Sequence, residues 1–325
     1  MESRSAATYF ERICPLDIPG IPVDIPDEML SAVMRPEFDA LGPVEVFPGV
    51  ASYLDRPYAT VIGFRQLTMD LHIPRRPAAM PMPVVVYAHP GGFFTGIKQM
   101  GPWRFLLEAG VAVVSVQYRL SGEAVFPAAI HDVATAVRWV RTNADRYGLD
   151  AQRVVGFGSS AGAYLISAVA LAGDDSDLVS SPGADSEVSC GLTAVVEHYG
   201  PTDFLKHDDD AHPDAIERMH GPDSTLARFF GFVPATRPEA VERGNLCRLA
   251  HQGAPPFLIA HGDQDRRVGI EQSRRLHRAL TAVGVRADLV EIVGGDHGSA
   301  HFNAPALHHR TLAFLESVLA LPLHR

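Results

Sequence analysis

Apolar residues along this chain fall into two alternating kinds of run. Val84-Val85-Val86-Tyr87-Ala88, Val111-Ala112-Val113-Val114-Ser115-Val116 and Phe257-Leu258-Ile259-Ala260 are short and continuous. Runs of that length and β-branched content suit strands buried on both faces. Between them the spacing becomes helical. Val133, Val137 and Val140 recur at i, i+4 and i+7 within residues 127–147. Leu276, Leu280 and Val283 repeat that spacing, and Leu312, Leu315 and Leu319 line a last helix with Phe314 and Val318. Strands alternating with helices of this length predict an α/β chain with a parallel sheet and helices on both faces. Residues 60–64 and 67–73 read instead as the two strands of a hairpin, which makes the sheet mixed.

Two stretches break the alternation. Residues 1–57 are punctuated by eight prolines. They read as an irregular N-terminal arm, with 27–34 as a candidate short helix, wrapped on a main body over 58–325. The arm is a candidate pocket cover or homo-oligomer interface. Residues 201–250 carry Asp208-Asp209-Asp210, Gly221-Pro222, Phe229-Phe230-Gly231-Phe232 and Arg237-Pro238 after the apolar strand 194–199. An insertion there leaves the sheet at its carboxyl edge, where open α/β sheets bind ligands, and it reads as a lid.

Composition narrows the partners. A chain of 325 residues that is 46% hydrophobic can bury a full core. Its formal net charge of −10 argues against nucleic acid and anionic membrane surfaces, both of which attract basic faces. No apolar run approaches the length of a membrane span, and the N-terminus leads into no hydrophobic segment of a secretory signal. Cys14, Cys190 and Cys247 are too far apart for a zinc pair or a disulfide framework, so a cytoplasmic location is expected. His207, Asp208, Asp210 and His212 crowd together in the insertion and read as a solvated charge run. No metal and no cofactor are expected.

The candidate chemistry begins at Gly158-Ser159-Ser160-Ala161-Gly162, a G-x-S-x-G between the apolar run 153–157 and the helical run 163–170. Strand, tight turn and helix place a serine hydroxyl at the apex, beside the positive end of a helix. Only Ser160 has glycine at both −2 and +2. A serine needs a base, and the base needs an orienting carboxylate. Two later strands supply them. Residues 257–260 run into His261-Gly262-Asp263-Gln264-Asp265, and 290–292 run into Gly294-Gly295-Asp296-His297-Gly298. His297, delivered by a strand and flanked by glycine, is the expected base. Asp263 and Asp265 both lie in the acidic turn, and spacing does not choose between them. Asp296 adjoins His297, but neighbouring side chains diverge. His261 reads as structural; His301, His308 and His309 read as solvated. After 84–88 comes His89-Pro90-Gly91-Gly92-Phe93, where Gly91, Gly92 and the Ala161 N–H are candidate donors for an oxyanion.

These residues resemble a known family. His89 to Phe93, Tyr118-Arg119-Leu120, Phe126 to Asp132, the 158–162 pentapeptide, Tyr199-Gly200-Pro201-Thr202-Asp203, 254–265 and Gly295 to Gly298 are similar to α/β-hydrolase-fold serine esterases. Within them the likeness is to the hormone-sensitive-lipase-like and acetyl-xylan/feruloyl (BD-FAE-like) group. The resemblance runs from about residue 60 to the C-terminus. It implies the α/β-hydrolase fold, with a mostly parallel eight-stranded sheet and a cap. It also implies that the acid is the Asp of a D-x-x-V turn, which is Asp265 here. The chain departs from the group at Pro90, which has no N–H to donate, and at Tyr164.

The expected function is hydrolysis of a small-molecule carboxylic ester through an acyl-enzyme, with Ser160, His297 and Asp265 as triad. Activity is expected to rise through roughly pH 6 to 7, as the base must be neutral. Amide or formamide hydrolysis, a peptidase, or an acyl-transfer or lactone-forming reaction would use the same triad. A binding protein on the same fold would not need it. Phe93, Phe94, Tyr164 and His198 are the candidate substrate contacts, with Phe204, Phe229, Phe230 and Phe232 as a further apolar set.

Overall fold

Eight strands form a single sheet, ordered β1-β2-β4-β3-β5-β6-β7-β8, in a computed structural model that describes residues 42–61, 65–174, 176–180 and 187–324. The strands are β1 (Val50–Thr60), β2 (Gln66–Pro74), β3 (Met82–Ala88), β4 (Ala112–Val116), β5 (Leu149–Ser159), β6 (Ala194–His198), β7 (Phe257–Gly262) and β8 (Ala287–Ile292). β2 runs antiparallel to both β1 and β4, and every other pairing is parallel. The helices are α1 (Arg104–Glu108), α2 (Ala128–Thr142), α3 (Ala144–Tyr147), α4 (Ala161–Ala172), α5 (Thr225–Phe230), α6 (Pro238–Glu242), α7 (Leu246–Leu249), α8 (Glu271–Ala282) and α9 (Pro305–Leu319).

The continuous apolar strands are explained by two cores. Along β3, Val84 and Val86 join the core under α2, α4 and α8, while Val85 and Tyr87 join the core under α1 and α9. Side chains alternate across a strand, so a strand covered on both faces needs apolar residues at every position. All seven residues of β3 are buried.

The first strand lies earlier than the sequence pattern suggests. The hairpin is present, but its first strand is Val50–Thr60, so residues 50–57 are sheet and not arm. Two register shifts, between Tyr53 and Arg56 and between Pro57 and Ala59, accommodate the charged Asp55 and Arg56 and the proline. A proline is tolerated there because β1 is an edge strand whose outward N–H has no ladder partner. Such a strand loses the alternation by which it would be read. Residues 62–64, and the candidate helix at 27–34 with residues 1–41, lie outside the described residues.

Between β6 and β7 the chain makes only short helices, α5, α6 and α7, over the carboxyl edge. The α5 helix is capped by Ser224 Oγ, which accepts from the Ala227 N–H at 3.1 Å, and ends at Gly231 with φ 76°. Its Phe229 and Phe230 are buried against Phe93, Phe126, Tyr164 and Phe204. The acidic run in this segment is not a solvated face. Asp210 takes a two-pronged ion pair from Arg275 on α8 at 2.6 and 2.8 Å and a third bond from Gln272 at 2.7 Å. Asp208 accepts the N–H groups of Met219 and His220 at 2.7 and 3.2 Å. These carboxylates tie the segment to itself and to α8.

Candidate active site

Ser160 sits where β5 ends and α4 begins, with φ 55° and ψ −120°, a strained left-handed conformation for a residue with a side chain. The flanking glycines are needed because the turn has no room. A Cβ on Gly158 would run into the Gly162 carbonyl, and one on Gly162 into the Ala88 carbonyl at the end of β3. The Ser160 N–H is bound to the His198 carbonyl of β6 at 2.8 Å. That bond locks the turn to the neighbouring strand.

The loops after β7 and β8 bring the candidate acid and base to it. His297 Nε2 lies 2.9 Å from Ser160 Oγ, and His297 Nδ1 lies 2.7 Å from Asp265 Oδ2. The two candidate acids make different contacts. Asp265 meets the histidine, whereas Asp263 accepts the Gly294 N–H at 2.8 Å and braces the loop. The other oxygen of Asp265 accepts the N–H groups of Arg267 and Val268 at 2.8 and 2.9 Å. Asp265 is 1% exposed. Burial raises its pKa, but the bonds from His261 and His297 outweigh that and hold the carboxyl well below the usual range. Asp296 does not orient the imidazole of His297. It accepts that residue's backbone N–H at 2.8 Å and is itself held by Arg266 Nε at 2.8 Å. The Tyr199 ring packs edge-on against the His297 ring, with centroids 4.8 Å apart.

The loop after β3 faces the same serine. Gly91 has φ 140°, and a Cβ there would collide with the Thr95 carbonyl, so only glycine lets the loop fold back. Its own carbonyl accepts the N–H groups of Phe94 and Thr95 at 3.2 and 3.1 Å. Among the described residues the N–H groups of Gly91, Gly92 and Ala161 have no acceptor, and all three residues line the cavity that holds Ser160 and His297. His89 is turned away. It stacks on Tyr118 at 4.3 Å, and burial pushes its pKa down to about 4.

The cavity measures about 350 Å³. Phe93 and Phe94 line it, Phe93 with its ring stacked on Phe229 at 3.9 Å and Phe94 more exposed under Arg228. Two expected contacts lie elsewhere. Tyr164 is fully buried beneath the insertion, and its hydroxyl donates to the Gly244 carbonyl at 3.0 Å. His198 is buried between Phe157, Tyr199 and Phe302, with its pKa pushed down to about 3. Neither lines the cavity, since each side chain points into the protein from an element whose backbone alone approaches the site. Phe204, Phe229, Phe230 and Phe232 likewise do not line it and pack on one another. Residues that spacing could not reveal do line it: His207, Glu217 and Met219 from the insertion, and Arg267 from the acid turn. Glu217 is engaged by the N–H and hydroxyl of Thr225 at 3.0 and 3.2 Å.

A buried serine–imidazole–carboxylate chain beside unspent N–H donors on this sheet can be set against known proteins. A family model described as BD-FAE matches residues 69–280, well over half of the chain. The chain belongs to the BD-FAE family. Its fold is that of the α/β-hydrolases. Esterase LipQ of Mycobacterium tuberculosis is 31% identical over 71% of this chain and 53% of its own length. The probable N-octanoylanthranilate hydrolase AqdA2 of Rhodococcus erythropolis is 37% identical over 60% of this chain and 43% of its own. This BD-FAE chain therefore spans about half the length of the curated relatives it matches. Among solved structures, a truncated carbohydrate esterase from gut microbiota superposes with a TM-score of 0.74 at 25% identity, covering 86% of this chain and 100% of that one. Among the described residues no helix is long and apolar enough to cross a membrane.

Proposed function

We propose that this protein hydrolyses a carboxylic ester of a small molecule through an acyl-enzyme on Ser160. The observation that carries this is the unbroken chain Ser160–His297–Asp265, at 2.9 and 2.7 Å, beside the free N–H groups of Gly91, Gly92 and Ala161. Ser160 Oγ attacks the ester carbonyl as its proton passes to His297 Nε2. His297 Nδ1–H stays bonded to Asp265, whose ionised carboxylate stabilises the imidazolium without taking its proton. Negative charge gathers on the former carbonyl oxygen, where the three N–H groups receive it. His297 then gives its proton to the departing alcohol oxygen. Water, deprotonated by the same nitrogen, releases the acid and restores Ser160.

Names among the relatives support an ester over other acyl bonds, and the cavity is at the small end for ligand sites, which suits a short acyl group. The insertion over 201–250 forms part of the cavity wall and acts as its cap. The scattered cysteines support a cytoplasmic setting. Amide hydrolysis is the second reading, favoured by the N-acyl substrate in the name of the Rhodococcus relative. A panel of p-nitrophenyl esters of increasing acyl length, with matched anilides, tests both. Wild type is expected to cleave short esters well ahead of anilides, and Ser160→Ala to lose at least about 10⁴-fold in kcat. Turnover surviving in Ser160→Ala refutes the mechanism, and anilides outrunning esters moves the assignment to the amide.

A further inference from the structure

A second histidine touches the acid. His261, the penultimate residue of β7, is fully buried, and its Nε2 lies 3.2 Å from Asp265 Oδ2, the same oxygen that meets His297. Nε2 also lies 2.8 Å from the Val268 carbonyl. A carbonyl oxygen only accepts, so Nε2 carries the hydrogen and gives it to Val268, with Asp265 Oδ2 beside the same N–H at 3.2 Å. Nδ1 lies 2.7 Å from Ser273 Oγ on α8, which is also buried. Beyond Ser273 comes the carboxyl of Glu197 on β6, which burial pushes up to about 7 and which accepts the Gly200 N–H.

We propose that His261 is a positioning residue for the reaction, acting through Asp265. Its Nε2–H holds Oδ2 in line with His297 Nδ1 and takes a share of the carboxylate's charge, which sets how strongly Asp265 draws the proton of His297. This rests on the Ser160–His297–Asp265 reading above. A histidine that only filled space would not need its N–H placed 3.2 Å from that oxygen, and β7 could end in any buried side chain. The other charged and titratable groups nearby are Glu291 on β8, paired with Arg274; Tyr199 against His297; and Asp296, held by Arg266.

The test compares His261→Met, which fills the space without a donor, with His261→Gln, whose amide can still donate. The pH profile of kcat/KM for p-nitrophenyl butyrate is measured per reactive serine, counted by fluorophosphonate labelling of Ser160. With the donor gone, Asp265 bears its full charge on His297. The acid limb of His261→Met should move to higher pH by roughly half a unit, and its kcat at pH 6 should fall by up to about threefold with KM within about twofold. His261→Gln should keep the limb near that of wild type. An unmoved limb in His261→Met, or an equal shift in both variants, overturns the proposal. Should His261→Met not fold, Ser273→Ala takes its place. It releases Nδ1 and should move the limb the same way by a smaller amount, and an unmoved limb there is equally fatal. If wild-type Ser160 is not labelled at all, the failure belongs to the nucleophile assignment and not to His261.

Discussion

Replacing Glu197 with glutamine should change how stability depends on pH. Glu197 lies at the centre of the sheet, fully buried, and desolvation raises its pKa from an ordinary 4.5 to about 7 despite the Gly200 N–H and the nearby His261. Below about pH 4.5 the group is protonated in both folded and unfolded chains and has no effect. Above that the unfolded chain releases the proton and the folded one keeps it, so stability falls with rising pH and levels off above about 7. The shift of 7 − 4.5 units corresponds to about 3 kcal/mol in all, of which about 2.5 kcal/mol is lost between pH 5 and pH 8. Glutamine is neutral at both pH values and keeps an oxygen for the Gly200 N–H. Every other titrating group is common to the two proteins and cancels in the comparison. Urea unfolding of wild type and Glu197→Gln at pH 5 and pH 8 gives the difference directly. The variant should gain about 2.5 kcal/mol on wild type between the two. A gap that stays constant within about 0.5 kcal/mol would show that Glu197 is ionised in the folded protein.

Asp265→Asn should lower kcat by about 10³ to 10⁴, because asparagine favours the wrong tautomer of His297, whereas Asp263→Asn should stay within about tenfold of wild type; steady-state kinetics on one ester separates them. Tyr164→Phe strands the Gly244 carbonyl in a buried site and should reduce stability by about 1 to 2 kcal/mol in urea unfolding, with kcat/KM nearly unchanged because the ring does not reach the cavity. Gly162→Ala should abolish both folding yield and activity, since its methyl group meets the Ala88 carbonyl and the turn has nowhere to move; soluble, active Gly162→Ala would mean that the turn is looser than described.

Much of this protein is legible in order and spacing. Apolar runs without alternation mark strands covered on both faces, and helical spacing between them marks the covering layers. Ser160 stands out because its glycines are a covalent, local requirement of a tight turn. His297 stands out because a strand ends in glycine on both sides of it. The first strand was not legible, since edge position rather than apolar pattern lets Val50–Thr60 hold Asp55, Arg56 and Pro57.

Spacing also leaves Asp263 and Asp265 equal, and a resemblance alone prefers one. Only the fold shows which oxygen reaches His297 and which braces Gly294. The same holds for Tyr164 and His198, which look like cavity residues by position and prove to point into the core. It holds for His207, Glu217 and Arg267, which come to the cavity from separate segments. The elements, their order and the turn that bears the serine can be read from residue order alone, because those depend on contacts between near neighbours. Direction comes from the folded chain: which face of a turn a side chain leaves from, and which distant carboxylate and histidine it meets. Ser160 and His297 are 137 residues apart in the chain and 2.9 Å apart in space, and no local rule spans that interval.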